Sequence, residues 1–238
     1  KACARSILLA SGLPCPAGVA VEPGRPLPVE RLKEGLYIVK PAYCDASEGI
    51  GPDSVVPIPS EQAIRQVQKI HEQFNQTAIV EQYIPARELN VSVIEALGKP
   101  RALPLAEIDF SAFPKDKPRL VDYQAKWIKD SFEYNHTPRI IPAPLDESTA
   151  EKVRALTIAA WRVLGCSGYA RVDFRLDEQN RPFILEVNPN PDLTPGDGFD
   201  AALQAAGIPF ERFVWMMLQN ALAVPTRQAL SISPEPSR

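Results

Sequence analysis

Apolar and polar positions recur with two periods along this chain, and the periods divide it into elements. A period of about two, the spacing of a half-buried strand, runs through residues 88–96 (ELNVSVIEA), which read as a strand pairing with 103–110. It returns in 168–176 and 182–188, two apolar-rich runs separated by the polar cluster Asp177, Glu178, Gln179, Asn180 and Arg181. Such a cluster turns a chain back on itself, so these runs predict a hairpin. Short apolar runs at 36–40 and 78–84, closed by Pro41 and Pro85, predict buried strands. The helical period appears at 58–74, with Ser60 as N-cap and Ile64, Val67, Ile70 and Phe74 as the apolar stripe. A second helix is expected where Ser148 opens a capping box with Glu151, ahead of Val153, Leu156, Ala160 and Val163 and a stop at Gly165. Residues 210–223 predict a last helix burying Phe210, Phe213, Val214, Met217, Leu218 and Ala221. Residues 2–11 read as a short helix ended by Gly12 and Pro14. The proline-rich stretch 13–28 reads as an extended connection, and 225–238, without period, as a flexible tail. Residues 111–137 are polar and aperiodic, hence functional or disordered, and their aromatics favour ordering on a ligand or neighbour.

Side chains alternate faces along a strand. In the hairpin, Arg171 and Asp173 therefore fall opposite Ala170, Val172 and Phe174, while Glu186 and Asn188 fall opposite Phe183, Leu185 and Val187. Packing the apolar faces on a core gathers Arg171, Asp173, Glu186 and Asn188 on one surface. Two carboxylates and an amide oxygen are hard ligands suited to magnesium that keeps waters and shares phosphates. A plain solvated outer face has the same alternation. The site reading is favoured because acids and Asn are poor strand formers yet occupy strand interiors, and because Pro189 ends the ladder at a loop mouth. Lys40, at the end of its strand, is either a snorkelling edge lysine or a phosphate ligand. The loop 42–51, with small residues and two glycines, is either a plain turn or a lid aiming backbone N–H groups at phosphates. His71 reads as a helix-surface histidine.

Composition narrows the classes. The 238 residues are 45% hydrophobic and 23% charged, enough for one large or two small cores. A formal net charge of -3 makes no case for a nucleic-acid partner, though a few lysines suffice for a nucleotide. Cys3, Cys15, Cys44 and Cys166 lack metal-ligand spacing, which argues against zinc and a disulfide framework and for a reducing, cytoplasmic setting. No apolar run reaches the roughly 20 residues of a membrane span, so no membrane partner is expected. The opening residues are too quickly broken for a secretory signal, and Lys1 is not a natural initiator, so a piece upstream is expected.

Five segments in order, YIVKPAYCDASEGI, AIVEQYIPARELNV, LPLAEIDF, DYQAKW and GYARVDFRLDEQNRPFILEVNPNPDLTPG, resemble the ATP-grasp part of the D-alanine-D-alanine ligases. The likeness covers nearly the whole chain. It implies an α+β, ATP-grasp fold in which two α+β subdomains sandwich ATP: residues 1–84 with the phosphate loop, and 85–224 with the metal site, followed by the tail at 225–238.

The resemblance also implies roles. Lys40 and Lys126 would meet the nucleotide from opposite sides, and Ser47 with its glycine neighbours would close over the β- and γ-phosphates. Glu81 would lie at the adenine amino group, Gln82, Tyr83 and Ile84 would form the connecting hinge, and Glu88 would hold the ribose hydroxyls. Asp173, Glu186 and Asn188 look like ligands of two magnesium ions, with manganese as an alternative, and Arg171 like the arginine that steadies the reacting carboxylate. The implied reaction is ATP-dependent peptide-bond formation through an acyl phosphate, on small amino-acid or dipeptide substrates, in peptidoglycan synthesis. Family members carry a further N-terminal domain, and an oligomer is compatible. Trp127 stands where Tyr or Phe is usual, Asp197 where a small polar residue binds the acceptor carboxylate, and Cys44-Asp45-Ala46-Ser47 loses one hydroxyl of the usual phosphate loop. Asp197 should repel an anionic acceptor and favour an amine or cation. The rival expectation is a nucleotide-binding module that is catalytically incomplete alone, as half of a two-part enzyme or a sensor. A purely structural domain requires six polar positions to coincide by chance.

Overall fold

Prolines, glycines and capping side chains set the limits of most elements in the computed structural model, which describes residues 1–223. Helix α1 (Ala2–Ala10) leads into β1 (Gly18–Val21), β2 (Gly35–Pro41), β3 (Val55–Ile58), α2 (Glu61–Phe74) and β4 (Ala78–Gln82). After a short crossing come β5 (Arg87–Ala96), β6 (Lys99–Ala102), β7 (Ala106–Ile108), α3 (Tyr123–Trp127), α4 (Phe132–Asn135) and β8 (Arg139–Ile140). The chain continues with α5 (Glu147–Val163), β9 (Tyr169–Leu176), β10 (Pro182–Asn188), α6 (Gly198–Ala205) and α7 (Phe210–Ala223). The proposed tail at 225–238 lies outside the described residues.

The strands form two antiparallel sheets. The first has the order β1-β4-β2-β3, and α2 closes a core of Val39, Val56, Ile58, Val67, Ile70 and Val80 on it. The second has the order β10-β9-β5-β7-β8, with β6 also paired to β5. Alternation splits its strands between two faces: Leu89, Val91, Val93, Val172 and Phe174 pack against Val153, Ala160 and Trp161 of α5. Full burial of side chains this size stabilises by about 1.5–3 kcal/mol each. On the opposite face Ile94 and Leu103 meet Phe199, Leu203 and Phe213 of α6 and α7. That same face carries the polar residues of β5, β9 and β10. Although α1 precedes the first sheet, its Leu8 packs in the core of the second, as does Cys15.

Several elements differ from the expectation. Part of the stretch 13–28 is β1, paired with β4 through Gly18↔Glu81 to Val21↔Ala78. A Cβ on Gly18 would lie 2.2 Å from Val80 O, so only glycine permits this approach. Helix α2 starts at its Ser60 cap, whose hydroxyl accepts from Ala63 N–H. Its buried stripe is Ala63, Gln66, Val67 and Ile70, whereas Ile64 is 42% exposed. Helix α5 is capped by Asp146, which accepts from Thr149 N–H, so it begins ahead of Ser148, and Val163 is exposed at its end. In α7 the buried side runs through Phe210, Phe213, Met216 and Met217, leaving Val214, Leu218 and Ala221 outside. Strand β5 pairs with β6 and β7 rather than with 103–110 throughout. The aperiodic segment 111–137 is ordered around Lys117, which pairs with Glu133 and lies over the Phe113 and Phe132 rings at 5.4 and 4.9 Å.

The hairpin has the expected strands but not strict alternation. A register shift between Ile184 and Glu186 leaves Leu185 as an extra residue, so the buried side chain is Ile184, opposite Phe174, and not Phe183 or Leu185. A bulge of this kind re-aims the residues after it. It sets Glu186 directly across from Asp173 and Asn188 across from Arg171.

Candidate active site

The polar face is built from cross-strand pairs. Strand register places Glu88 beside Arg175 and Asn90 beside Asp173 on one side, with Glu186 beside Asp173 on the other. Arg171 Nε and Nη2 donate to the two Asp173 carboxylate oxygens at 2.7 and 2.8 Å, and Asn90 Nδ2 donates to Oδ1 at 2.9 Å. Burial pushes the Asp173 carboxyl up, but Arg171, with help from Lys126 and Asn90, outweighs it and holds the group below the usual carboxylate range. The Asp173 charge in turn raises Arg171 further, so the guanidinium stays charged. Asn188 Oδ1 accepts from Asn190 N–H at 2.9 Å, which starts the following loop.

Glu186 faces a residue the sequence did not single out. Lys1 Nζ lies 3.1 Å from Glu186 Oε2 and 3.3 Å from Asp45 Oδ1, and donates to Cys44 O at 2.5 Å. It joins the β10 end of the face to the small-residue loop. That loop is strained, with Ala46 at φ 53 and Ser47 at φ 63. It is tied to the segment before and within α3: Ser47 Oγ donates to Val121 O at 2.7 Å, and Trp127 Nε1 donates to Ala46 O at 3.1 Å. Lys126, half-buried on α3, is near enough to Asp173 and Glu88 to favour the ionised form of both.

Lys40 and Glu81 are brought together in a separate buried pair on the first sheet, with Arg5 Nε of α1 at 3.9 Å from the second Glu81 oxygen. Of residues 82–84, expected to form a hinge, Gln82 is exposed, Ile84 is buried, and the Tyr83 hydroxyl accepts from Arg119 N–H at 2.8 Å. Glu88 pairs with Arg175 at 2.8 Å; burial raises its carboxyl, and Arg175 opposes that. Asp197 stands at the start of α6, where the Arg139 guanidinium packs over Gly198 so closely that a Cβ there would lie 3.1 Å from Nη2. The negative charge expected at the loop thus has a cation beside it.

Lys1, Arg5, Asn90, Arg139 and Arg175 were not among the sequence candidates. Asn90 and Arg175 were legible in principle, since they stand in phase with Glu88 and with Arg171 and Asp173.

Two antiparallel sheets, one with the small-residue loop between its strands β2 and β3 and the other carrying the Arg171-Asp173-Glu186-Asn188 face, make up an ATP-grasp fold. A crystal structure of D-alanine-D-alanine ligase from Bacillus anthracis complexed with ATP has the same fold, with a TM-score of 0.71 at 21% identity, over 93% of this chain and 65% of that one. The family model described as D-ala D-ala ligase C-terminus matches residues 31–219, and the chain belongs to that family. A D-alanine-D-alanine ligase of Pelotomaculum thermopropionicum is 30% identical over 234 residues, covering 93% of this chain and 67% of the relative. One from a Synechococcus species is 31% identical over 251 residues, covering 100% of this chain and 70% of the relative. The chain thus spans about two thirds of the length of these relatives.

Proposed function

We propose that this chain carries the nucleotide and metal centre of an ATP-dependent, ADP-forming carboxylate-amine ligase of the D-alanine-D-alanine type. The observation that carries the reading is the registered face on which Asp173 and Glu186 stand opposite each other, with Arg171, Lys1 and Lys126 around them. Two carboxylates and the Asn188 amide oxygen are a donor set for magnesium, which would offset phosphate charge when bound. Lys1 and Lys126 add positive charge along the path of the transferred phosphoryl group, and the loop containing Ser47 covers it. Lys40, Glu81 and the hinge residues 82–84 are assigned to the base, and Glu88 to the ribose, with the two subdomains meeting near Ile84.

A carboxylate is a poor electrophile because its leaving group would be oxide. Transfer of the ATP γ-phosphoryl group gives an acyl phosphate, an amine attacks the carbonyl carbon, and phosphate leaves. Arg171 spends Nε and Nη2 on Asp173, which leaves Nη1 for the substrate carboxylate and for the oxyanion of the tetrahedral carbon. Loss of one such donor costs about 10²–10³ in rate. A cytoplasmic role in peptidoglycan synthesis on small amino acids agrees with the family.

The test is ADP release from Mg-ATP with a panel of D- and L-amino acids, using Glu186→Gln as the blank. Amino-acid-dependent release above the blank supports a ligase. The second reading is a nucleotide-binding module that is catalytically incomplete alone. ATP binding without turnover under any amino acid would decide for it.

A further inference from the structure

Arg175 is a nearly buried arginine on the same face, its side chain 4% exposed, and the reaction above makes no use of it. Its fork reaches three segments of chain. Nη2 lies 2.8 Å from Glu88 Oε2 and also donates to Arg119 O, while Nη1 donates to Ile84 O at 3.3 Å. The guanidinium carbon lies over the rings of Tyr83 and Phe110, 5.8 and 5.5 Å from their centroids. Tyr83, through its hydroxyl, holds both Arg119 N–H and Arg119 O, so the hinge, β5 and the 111–137 segment meet at this one side chain.

We infer that Arg175 is a positioning residue for the nucleotide: it holds Glu88 by Oε2 so that Oε1 is presented to the ribose hydroxyls, and it ties that placement to the hinge at Ile84. The inference rests on the reading of Glu88 as the ribose ligand. Three physical points carry it. A carboxylate with its side chain only 12% exposed needs a paired cation to remain the charged acceptor that binds a hydroxyl strongly. A planar guanidinium can satisfy acceptors on three segments at once, which a lysine ammonium on a flexible stem cannot do with the same geometry. The Tyr83 and Phe110 rings beside the guanidinium and the two carbonyls it binds limit where the fork can lie, and with it which Glu88 oxygen it takes.

A merely structural role for Arg175 would lower the melting temperature of its variants without changing which sugar the protein prefers. The deciding experiment is calorimetric binding of Mg-ATP, 2′-deoxy-ATP and 3′-deoxy-ATP to the wild type, Arg175→Met and Arg175→Lys, with thermal melts alongside. The wild type is expected to bind ATP about tenfold or more tightly than at least one deoxy analogue, the worth of a hydrogen bond to a charged group. Arg175→Met should bind ATP and that analogue equally. Arg175→Lys keeps the charge against Glu88 but not the reach to both carbonyls; it should lose part of the preference, and it decides the matter if the Met variant does not fold. A folded variant that keeps the full wild-type preference overturns the inference. A wild type that binds ATP without preference removes Glu88 from the ribose and the inference with it, whereas a wild type that binds no nucleotide overturns the ligase reading itself.

Discussion

The Lys1 ammonium lies 3.1 Å from the Glu186 carboxylate, and through Asp45 and Cys44 it joins the Asp173-Glu186 face to the small-residue loop. Burial lowers the Lys1 pKa, but Glu186 and Asp45 outweigh that and raise it above 10.5, so the charge is held at neutral pH. Lys1→Met should therefore lower kcat/KM for ATP by about tenfold or more, mostly through KM, because a charged hydrogen bond to phosphate is lost. Steady-state kinetics with varied ATP check this, and unchanged kinetics would detach Lys1 from the nucleotide.

The Arg171-Asp173 pair makes stability depend on acid. Burial alone would raise the Asp173 carboxyl, yet Arg171 leaves it below its ordinary value of 3.8. A depressed folded value contributes stability that is fully present above the unfolded value and is lost as pH falls through the folded one. The stability difference between the wild type and Asp173→Asn, read from urea midpoints, should be constant from about pH 5 to 8 and shrink below about pH 4. A difference that stays constant to pH 2 would contradict the pairing.

Gly18 is where the first sheet tolerates no side chain. A Cβ there would meet Val80 O at 2.2 Å and Glu81 Cα at 2.6 Å, both backbone atoms. Gly18→Ala should cost about 1–3 kcal/mol, the range for forced overpacking, seen as a lower melting temperature. Because the displaced residue is Glu81, ATP affinity should fall with it. An unchanged melt would mean that β1 is not held against β4 as described.

Period, together with caps and the polar turn cluster, revealed the hairpin, α2 and α5, and it gathered Arg171, Asp173, Glu186 and Asn188 on one face, although in the structure that gathering depends on the bulge that turns Glu186 away from the side on which Ile184 is buried. The bulge at Leu185 was hidden, since an inserted residue leaves every side chain apolar or polar as before and changes only its face. Strand β1 was masked by neighbouring prolines, and its pairing depends on a contact with β4 about sixty positions away in sequence. Lys1 had no local signal at all; its role exists only once α1 packs on the second sheet and sets the residue beside Glu186. Arg175 stood in plain alternation with Asp173, but only its burial beside Glu88 distinguishes it from an ordinary strand arginine.

The most direct test of the central claim follows the oxygen atoms of the carboxylate substrate. With the amino acid that best stimulates ADP release supplied with both carboxyl oxygens as ¹⁸O, phosphoryl transfer followed by amine attack breaks one labelled C–O bond and sends that oxygen out with phosphate. Mass spectrometry should therefore find one ¹⁸O in the phosphate for each peptide bond formed, alongside ADP. Unlabelled phosphate, or AMP and pyrophosphate in place of ADP, would contradict an acyl-phosphate ligase at the Asp173-Glu186 face.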